Sequence, residues 1–500
     1  MQSRSLKIFF SGIGGSGVSA IAGFMADKGH IVFGSDRAFD KDPGHPLQKI
    51  FQSMGITIVP QDGDGIDDTF DLAVFSTAVE PDKPEVIKAK SLRIPVKTRP
   101  EYLAGITDSF KTIAVAGTSG KSTTSGLLAF LMKRLGLGPN FLGGGRVKQF
   151  KSFSNPGNFI TGHSDFLVIE ACESDGTIVN YKPWHSIILN LDLDHHTIDK
   201  TAQMFEILME NTKGKIFVNA DDKNLLKPIN VIEPKISLKL SFRQVVSRNP
   251  VPCEKTLDSR SKDCGNDKTP EESNKQQPKS SIITFSIHNP SHYKAEGITY
   301  HPFSTDFSVN GKRFSLSLPG EYNLYNTLSC IAFLSEIGIS RDDIANVLPG
   351  FEGIERRFDI HLNEGERLVI DDYAHNPHKI SSFMKTMKYQ KEKICYIFQP
   401  HGFGPTRLMK KEYITAFAEN LRDTDHLILL PIYYVGGTAS KDISSQDLAD
   451  GIRAFGKSVE VIQKREDIIK RVHDYKTYVV FGARDETLSD LAEAIAGALS

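Results

Sequence analysis

The stretch Ala114-Val115-Ala116-Gly117-Thr118-Ser119-Gly120-Lys121-Ser122-Thr123-Thr124 decides the reading of this 500-residue chain. Ahead of it, Phe110 to Ala116 reads as a short apolar strand. After it, Leu127, Leu128, Leu131 and Leu135 recur at helical spacing until Gly136, a helix-ending residue. A glycine loop between a strand and a helix N-terminus is a phosphate site, because bare backbone N–H groups approach the oxygens closely and the helix dipole favours negative charge. Lys121 is placed to reach terminal phosphates and Ser122 offers a hydroxyl to magnesium, while Gly117, Thr118, Ser119, Gly120 and Thr123 complete the cradle. The pattern G-x-x-x-x-G-K-[ST] meets Val115 at its first glycine, so this is a variant loop.

Toward the N-terminus, Leu6 to Phe10 reads as a strand, and Val18, Ile21, Ala22 and Met25 mark one face of a helix. Between them lies Gly12-Ile13-Gly14-Gly15-Ser16-Gly17, a G-x-G-x-x-G in its proper setting. Asp36 follows about 20 positions on, where a ribose hydroxyl is held in dinucleotide sites. The residues alone leave the ligand open between NAD and a UDP-sugar, since both carry a diphosphate. Strand and helix alternate on to Ser109.

Toward the C-terminus, the strand Phe166 to Ile169 runs into Glu170-Ala171-Cys172-Glu173-Ser174-Asp175, and Ile187 to Leu189 runs into Asn190-Leu191-Asp192-Leu193-Asp194-His195-His196. Strand carboxyl ends line the crevice of an α/β sheet, so these groups converge on the phosphate loop. Glu173 supplies the hard oxygen that magnesium prefers; His195 is a less usual ligand for it. Residues 247–281 lose their apolar content and read as a disordered surface insertion. Ile282 to Phe285 and Phe307 to Leu318 resemble edge strands with a hairpin at Asn310-Gly311, followed by a helix carrying Asn323 and Asn326. From Gly353 a third α/β unit begins, with strands at 368–370, 394–398, 427–430 and 478–481. Two of these lead into Asp371-Asp372-Tyr373-Ala374-His375 and Gln399-Pro400-His401, and Arg356 and Arg357 stand at the junction, able to face phosphate.

The expected architecture is therefore α/β in three domains. These are a Rossmann-like domain at 1–109, a central P-loop ATPase domain with a mixed or parallel sheet at 110–352, and a Rossmann-like α/β domain at 353–500. With 60 basic and 61 acidic residues the chain has no bulk attraction to nucleic acid or to an anionic membrane. Five cysteines without C-x-x-C spacing, two of them (Cys253 and Cys264) inside the insertion, argue against a disulfide framework or a zinc knuckle. The absence of a signal peptide and of a long apolar run predicts a soluble, cytoplasmic protein.

Taken in order, these motifs, with Arg-Arg-Phe at 356–358 and Asp-Asp-Tyr-x-His-x-Pro at 371–377, resemble the muramyl (Mur) ligase family over nearly the whole chain. The resemblance implies an enzyme that uses ATP and Mg2+ to join a small L-amino acid, L-alanine, to UDP-N-acetylmuramate through an acyl phosphate, forming ADP, as a monomer or homodimer. A tripeptide as acceptor and a non-catalytic nucleotide-binding relative are the alternatives. Carried over by position, Gly12, Gly14, Gly15, Ser16, Gly17 and Asp36 hold the UDP-sugar. Lys121, Ser122, Glu173 and His195 serve the ATP phosphates and metal. Asn323 and Asn326 meet the adenine side, Arg356 the phosphates, and Asp371 with His375 the ribose. Phe205 stands where several relatives carry a carbamylated lysine. The family presents Arg directly after His401, whereas this chain has Gly402, and Gly482-Ala483-Arg484-Asp485 departs from the usual glycine-rich turn. Arg407 is then expected to reach the acceptor carboxylate in place of the missing arginine.

Overall fold

A computed structural model describes residues 4–194, 196–231, 281–390, 392–434 and 440–500. His195 and nearly all of the insertion, Cys253 and Cys264 included, lie outside the described residues.

The first sheet contains β1 (Lys7–Ser11), β2 (Ile31–Ser35), β3 (Thr57–Ile58), β4 (Leu72–Phe75) and β5 (Val96–Thr98), all parallel, in the order β3-β2-β1-β4-β5. Chain order reverses at β1, and the glycine turn sits at that reversal, where α/β sheets open a crevice. The second sheet has ten strands: β6 (Lys111–Ala116), β7 (Asn140–Leu142), β8 (Phe159–Ile160), β9 (Phe166–Glu170), β10 (His185–Ile188), β11 (Lys215–Asn219), β12 (Ser281–Ser286), β13 (Tyr293–Tyr300), β14 (Thr305–Val309) and β15 (Lys312–Leu316). In the order β15-β14-β13-β12-β11-β10-β6-β9-β7-β8, the phosphate-loop strand β6 lies between β10 and β9. The loops carrying Asn190 and Glu173 therefore flank it on either side.

Asn310 (φ 48°) and Gly311 (φ 80°) make the tight β14–β15 turn that Asn-Gly favours. The segment 282–285, expected at an edge, instead pairs on both sides, with β11 and β13. Its apolar run Ile282-Ile283-Thr284-Phe285 fits an interior strand equally well, which is why composition alone misplaced it.

The third sheet holds β16 (Asp359–Glu364), β17 (Arg367–Asp372), β18 (Ile394–Gln399), β19 (His426–Leu429), β20 (Val459–Val461) and β21 (Thr477–Gly482) in the order β16-β17-β21-β18-β19-β20. Only β16 is antiparallel. The strand carboxyl ends bearing Asp371, His401 and Arg484 thus open on one side of the sheet.

The first two sheets are not independent bodies. One apolar cluster runs from Ile8, Phe10 and Leu103 through Phe159 to Leu167, Ile188 and Phe205. At the seam, a Cβ on Gly23 would lie 2.4 Å from the Phe159 ring, so the helix Ser16–Asp27 packs there with no room for a side chain. Asn158 Nδ2 donates to Ser16 O (2.8 Å), and Arg99 pairs with Asp175 (2.8 Å). Phe205 is fully buried in this core and offers no ligand to any site. The third sheet has separate apolar clusters of its own. No helix among the described residues is long and apolar enough to cross a membrane.

Candidate active site

A cavity of about 1200 Å³ lies where the three sheets face one another; Gly15, Lys121, Glu173, Asn326, His375 and Arg484 are on its wall. On the phosphate-loop side the local fold follows from two glycines. Gly117 (φ +144°) and Gly120 (φ +83°) take backbone conformations closed to other residues, and a Cβ on Gly120 would meet Asn326 Oδ1 at 2.3 Å. Asn190, just beyond β10, fixes the loop between them: its Oδ1 accepts from Thr118 Oγ1 (2.9 Å) and Ser119 N (2.8 Å), and its Nδ2 donates to Ser119 O (3.1 Å). With the backbone so held, Thr118 to Thr123 present themselves to the cavity at the start of the helix Lys121–Arg134.

Lys121 Nζ donates to Gly117 O (2.6 Å) and to Glu173 Oε2 (2.9 Å). Burial opposes the ammonium charge, but the facing Glu173 outweighs it and the lysine is held above its ordinary pKa. Ser122 Oγ donates to Glu170 Oε2 (2.9 Å), which also accepts from Gly144 N (3.0 Å). Glu173 Oε1 is buried with no hydrogen-bond partner among the described residues. An anionic oxygen so placed is costly unless something polar fills the space beside it, and a hard cation does so. No trio of His, Cys, Asp or Glu side chains among the described residues forms a metal cage. The residues fit magnesium, which takes one or two protein oxygens and completes its shell with phosphate and water.

On the N-terminal side, Gly15, Ser16 and Gly17 line the cavity. Gly12, Gly14 and Asp36 do not, and Asp36 is engaged by the glycine turn itself. Its Oδ2 accepts from Gly14 N (2.9 Å) and its Oδ1 from Ala38 N (2.9 Å), so the carboxylate shapes the turn and caps the helix Arg37–Lys41.

Two expected site residues of the third domain are buried. Arg356 is buried. Its Nη1 donates to Asp485 O (2.8 Å), its Nη2 to Ala483 O (3.3 Å), and its Nε lies 3.3 Å from Asp371 Oδ2. Asp371, at 0% exposure, is sealed beneath it and is not on the cavity wall, whereas Arg356 itself reaches that wall. Arg357 and Tyr373 face the cavity as well, with the guanidinium 4.5 Å from the ring centroid. The junction is strained: Arg356 (φ 57°) and Phe358 (φ 51°) are non-glycine residues in the left-handed region, at about 1–2 kcal/mol each. They are retained because Arg356 N donates to Asp359 (3.1 Å) and Phe358 N to Asp372 (2.8 Å).

Burial raises the Asp371 pKa to about 7 despite Arg356. A carboxyl raised in the folded state favours folding while protonated, so its contribution is complete below the unfolded value near 4 and is lost as pH rises toward 7. Asp371→Asn is expected to remove this dependence. Chemical denaturation between pH 4 and pH 7 should show a wild-type decline, relative to the variant, of at most about 1.4 kcal/mol per pH unit. Parallel curves would show that the carboxyl stays ionised.

His375, Asn323 and Asn326 all reach the cavity. His375 Nδ1 lies 2.9 Å from Tyr373 O, and burial, then the neighbouring Lys379 and Arg484 cations, keeps the imidazole neutral well below its ordinary range. His401 stacks on Tyr433 (5.9 Å) and accepts from Arg484 N (3.4 Å). Arg407 does not take the role expected of it. It ends the helix Phe403–Leu408, pairs with Asp442, donates to Ser440 O (2.8 Å) and is absent from the cavity wall.

The sequence reading missed four contributors. Glu170 and Asn190 were visible at strand ends but carried no motif role. Lys379, which crosses to Asp194 (2.9 Å), gave no periodic or motif signal, and Arg484 showed only as a departure from the usual glycine-rich turn, with no role attached.

A three-sheet α/β chain with a phosphate loop and a diphosphate-type glycine turn opening on one cavity defines a nucleotide-using, multi-substrate enzyme class. Family profiles match residues 7–111 (Mur ligase family, catalytic domain), 264–334 (Mur ligase middle domain) and 356–484 (Mur ligase, glutamate ligase domain). The UDP-N-acetylmuramate–L-alanine ligase of Fusobacterium nucleatum is 30% identical, with 98% of this chain and 96% of that protein covered. The chain belongs to the Mur ligase family. In fold it is similar to the UDP-N-acetylmuramate-alanine ligase of Thermotoga maritima (24% identity, TM-score 0.74, 98% of each chain) and to a murein peptide ligase of Psychrobacter arcticus (20%, 0.65, 99% of each).

Proposed function

We propose that this chain joins L-alanine to UDP-N-acetylmuramate in the cytoplasm, consuming ATP and forming ADP. The observation that carries the reading is the continuity of one cavity from the N-terminal glycine turn, past Lys121, to His375 and Arg484 on the third domain. A sugar nucleotide, a triphosphate and an amine can meet in it, and its volume exceeds that of a pocket for a single small ligand. The UDP diphosphate is assigned to Gly15, Ser16 and Gly17, the adenine side of ATP to Asn323 and Asn326, and a magnesium ion to Ser122 and Glu173.

When bound, magnesium–ATP supplies the phosphoryl group that activates the sugar carboxylate for attack by the amine. Lys121 neutralises charge on the transferring group, from a position fixed by Gly117 O and Glu173. The backbone N–H groups of the phosphate loop orient the phosphate chain. The wall bearing Tyr373 and His375 excludes water, which would otherwise compete with the amine.

The test is phosphate release with UDP-N-acetylmuramate, ATP and a panel of amino acids and peptides. Release should require the sugar and be greatest with L-alanine. Release with a tripeptide and none with free amino acids would replace this acceptor, and release independent of the sugar would overturn the ligase reading.

A further inference from the structure

The third-domain wall carries Arg356, Arg357, Lys379, Lys385 and Arg484, and their neighbours set several of them apart. Arg357 lies flat on Tyr373. Lys379 reaches across to Asp194 (2.9 Å), and its ammonium is pushed down by burial and, more weakly, by Lys121, which places it on the phosphate side. Arg484 lines the same cavity, its charge is felt at Tyr373, and its backbone N donates to His401 Nδ1 (3.4 Å). The His375 imidazole feels both Lys379 and Arg484.

Arg484 is also delivered from a braced turn. Gly482 (φ +126°) leaves no space for a Cβ, which would lie 2.3 Å from Gln399 O. Ala483 N donates to Gln399 O (2.9 Å). Arg356 holds the carbonyls of Ala483 and Asp485, and Arg465 pairs with the Asp485 carboxylate (2.6 Å). The backbone is thus fixed from four directions while the Arg484 side chain projects, exposed, into the cavity.

Resting on the ligase reading above, we infer that Arg484 is the residue that binds the acceptor's carboxylate and so selects an α-amino acid. An α-amino acid whose amine attacks near Lys121 carries its carboxylate one carbon away, and Arg484 is a guanidinium on the third-domain wall of that same cavity. A guanidinium suits this task because its fork matches two carboxylate oxygens at once.

The test compares wild type, Arg484→Gln and Arg484→Lys in phosphate release, varying each substrate in turn, with L-alanine and L-alaninamide as acceptors. Arg484→Gln should raise the apparent KM for L-alanine by about tenfold or more, while the KM values for ATP and sugar stay within about twofold. It should also abolish the wild-type preference for alanine over alaninamide, with Arg484→Lys intermediate. A merely structural role would not erase that preference. Unchanged alanine KM and preference, or equal rises for all three substrates, would overturn this inference alone. Absence of amino-acid-dependent release from wild type would overturn the ligase reading and this assignment with it.

Discussion

Lys121→Ala should abolish ligation, lowering turnover by about 10³ or more, while leaving UDP-sugar affinity within about threefold of wild type. The ammonium is the cation of the phosphate loop, held by Gly117 O at 2.6 Å and Glu173 at 2.9 Å, and its charge acts on the phosphoryl group in transit. The sugar nucleotide is assigned to Gly15, Ser16 and Gly17, on another sheet. Removing Lys121 also leaves the Glu173 carboxylate, 2% exposed, without its counter-charge, at a stability cost of about 3–5 kcal/mol if nothing relaxes. Thermal denaturation should therefore accompany calorimetric titration with UDP-N-acetylmuramate. Equal loss of sugar binding and ligation in a folded variant would count against the division of labour between the sheets.

Glu173→Gln is the second large effect. It preserves shape while removing the negative charge that faces Lys121 and that the proposed magnesium site would use, and it alters the carboxylate oxygen that is buried with no partner among the described residues. Turnover should fall by about 10²-fold, and the magnesium concentration needed for half-maximal rate should rise about tenfold or more, because a charged contact is worth about 1.5–3 kcal/mol. Phosphate release titrated with magnesium measures both. A variant that keeps the wild-type magnesium dependence would leave Glu173 as the counter-ion of Lys121 only.

Much of this arrangement was legible in the sequence because the signals are local. A strand, a glycine loop and a helix read as a phosphate site from eleven consecutive residues, and the structure places Lys121, Ser122 and Glu173 together as expected. What was not legible depends on long-range competition for a side chain. Asp36 follows the glycines at the spacing of a ribose ligand, but its two oxygens are claimed by Gly14 N and Ala38 N. Arg356 and Arg357 are indistinguishable as a pair. Both line the cavity, but the left-handed backbone at Arg356 ties that guanidinium to the Asp371 strand and the Ala483–Asp485 turn, while Arg357 packs on Tyr373. Arg407 is turned away by Asp442, 35 residues on, which no spacing rule anticipates. Lys379 and Arg484 matter only because three sheets converge.

The two seams between the sheets are made of different materials. The first is a continuous apolar core closed by a glycine against a phenylalanine ring. The second is held largely by charges: Lys379 with Asp194, Lys148 with Asp359 (2.5 Å), Arg146 with Glu355 (3.5 Å), and His378 near Asp192. Dissolved ions weaken exposed charge pairs over a Debye length of about 8 Å at physiological strength and barely touch buried hydrocarbon. Lys379 and Asp194 are largely buried, so the outer pairs, Arg146 with Glu355 and His378 near Asp192, are the ones the surrounding electrolyte reaches.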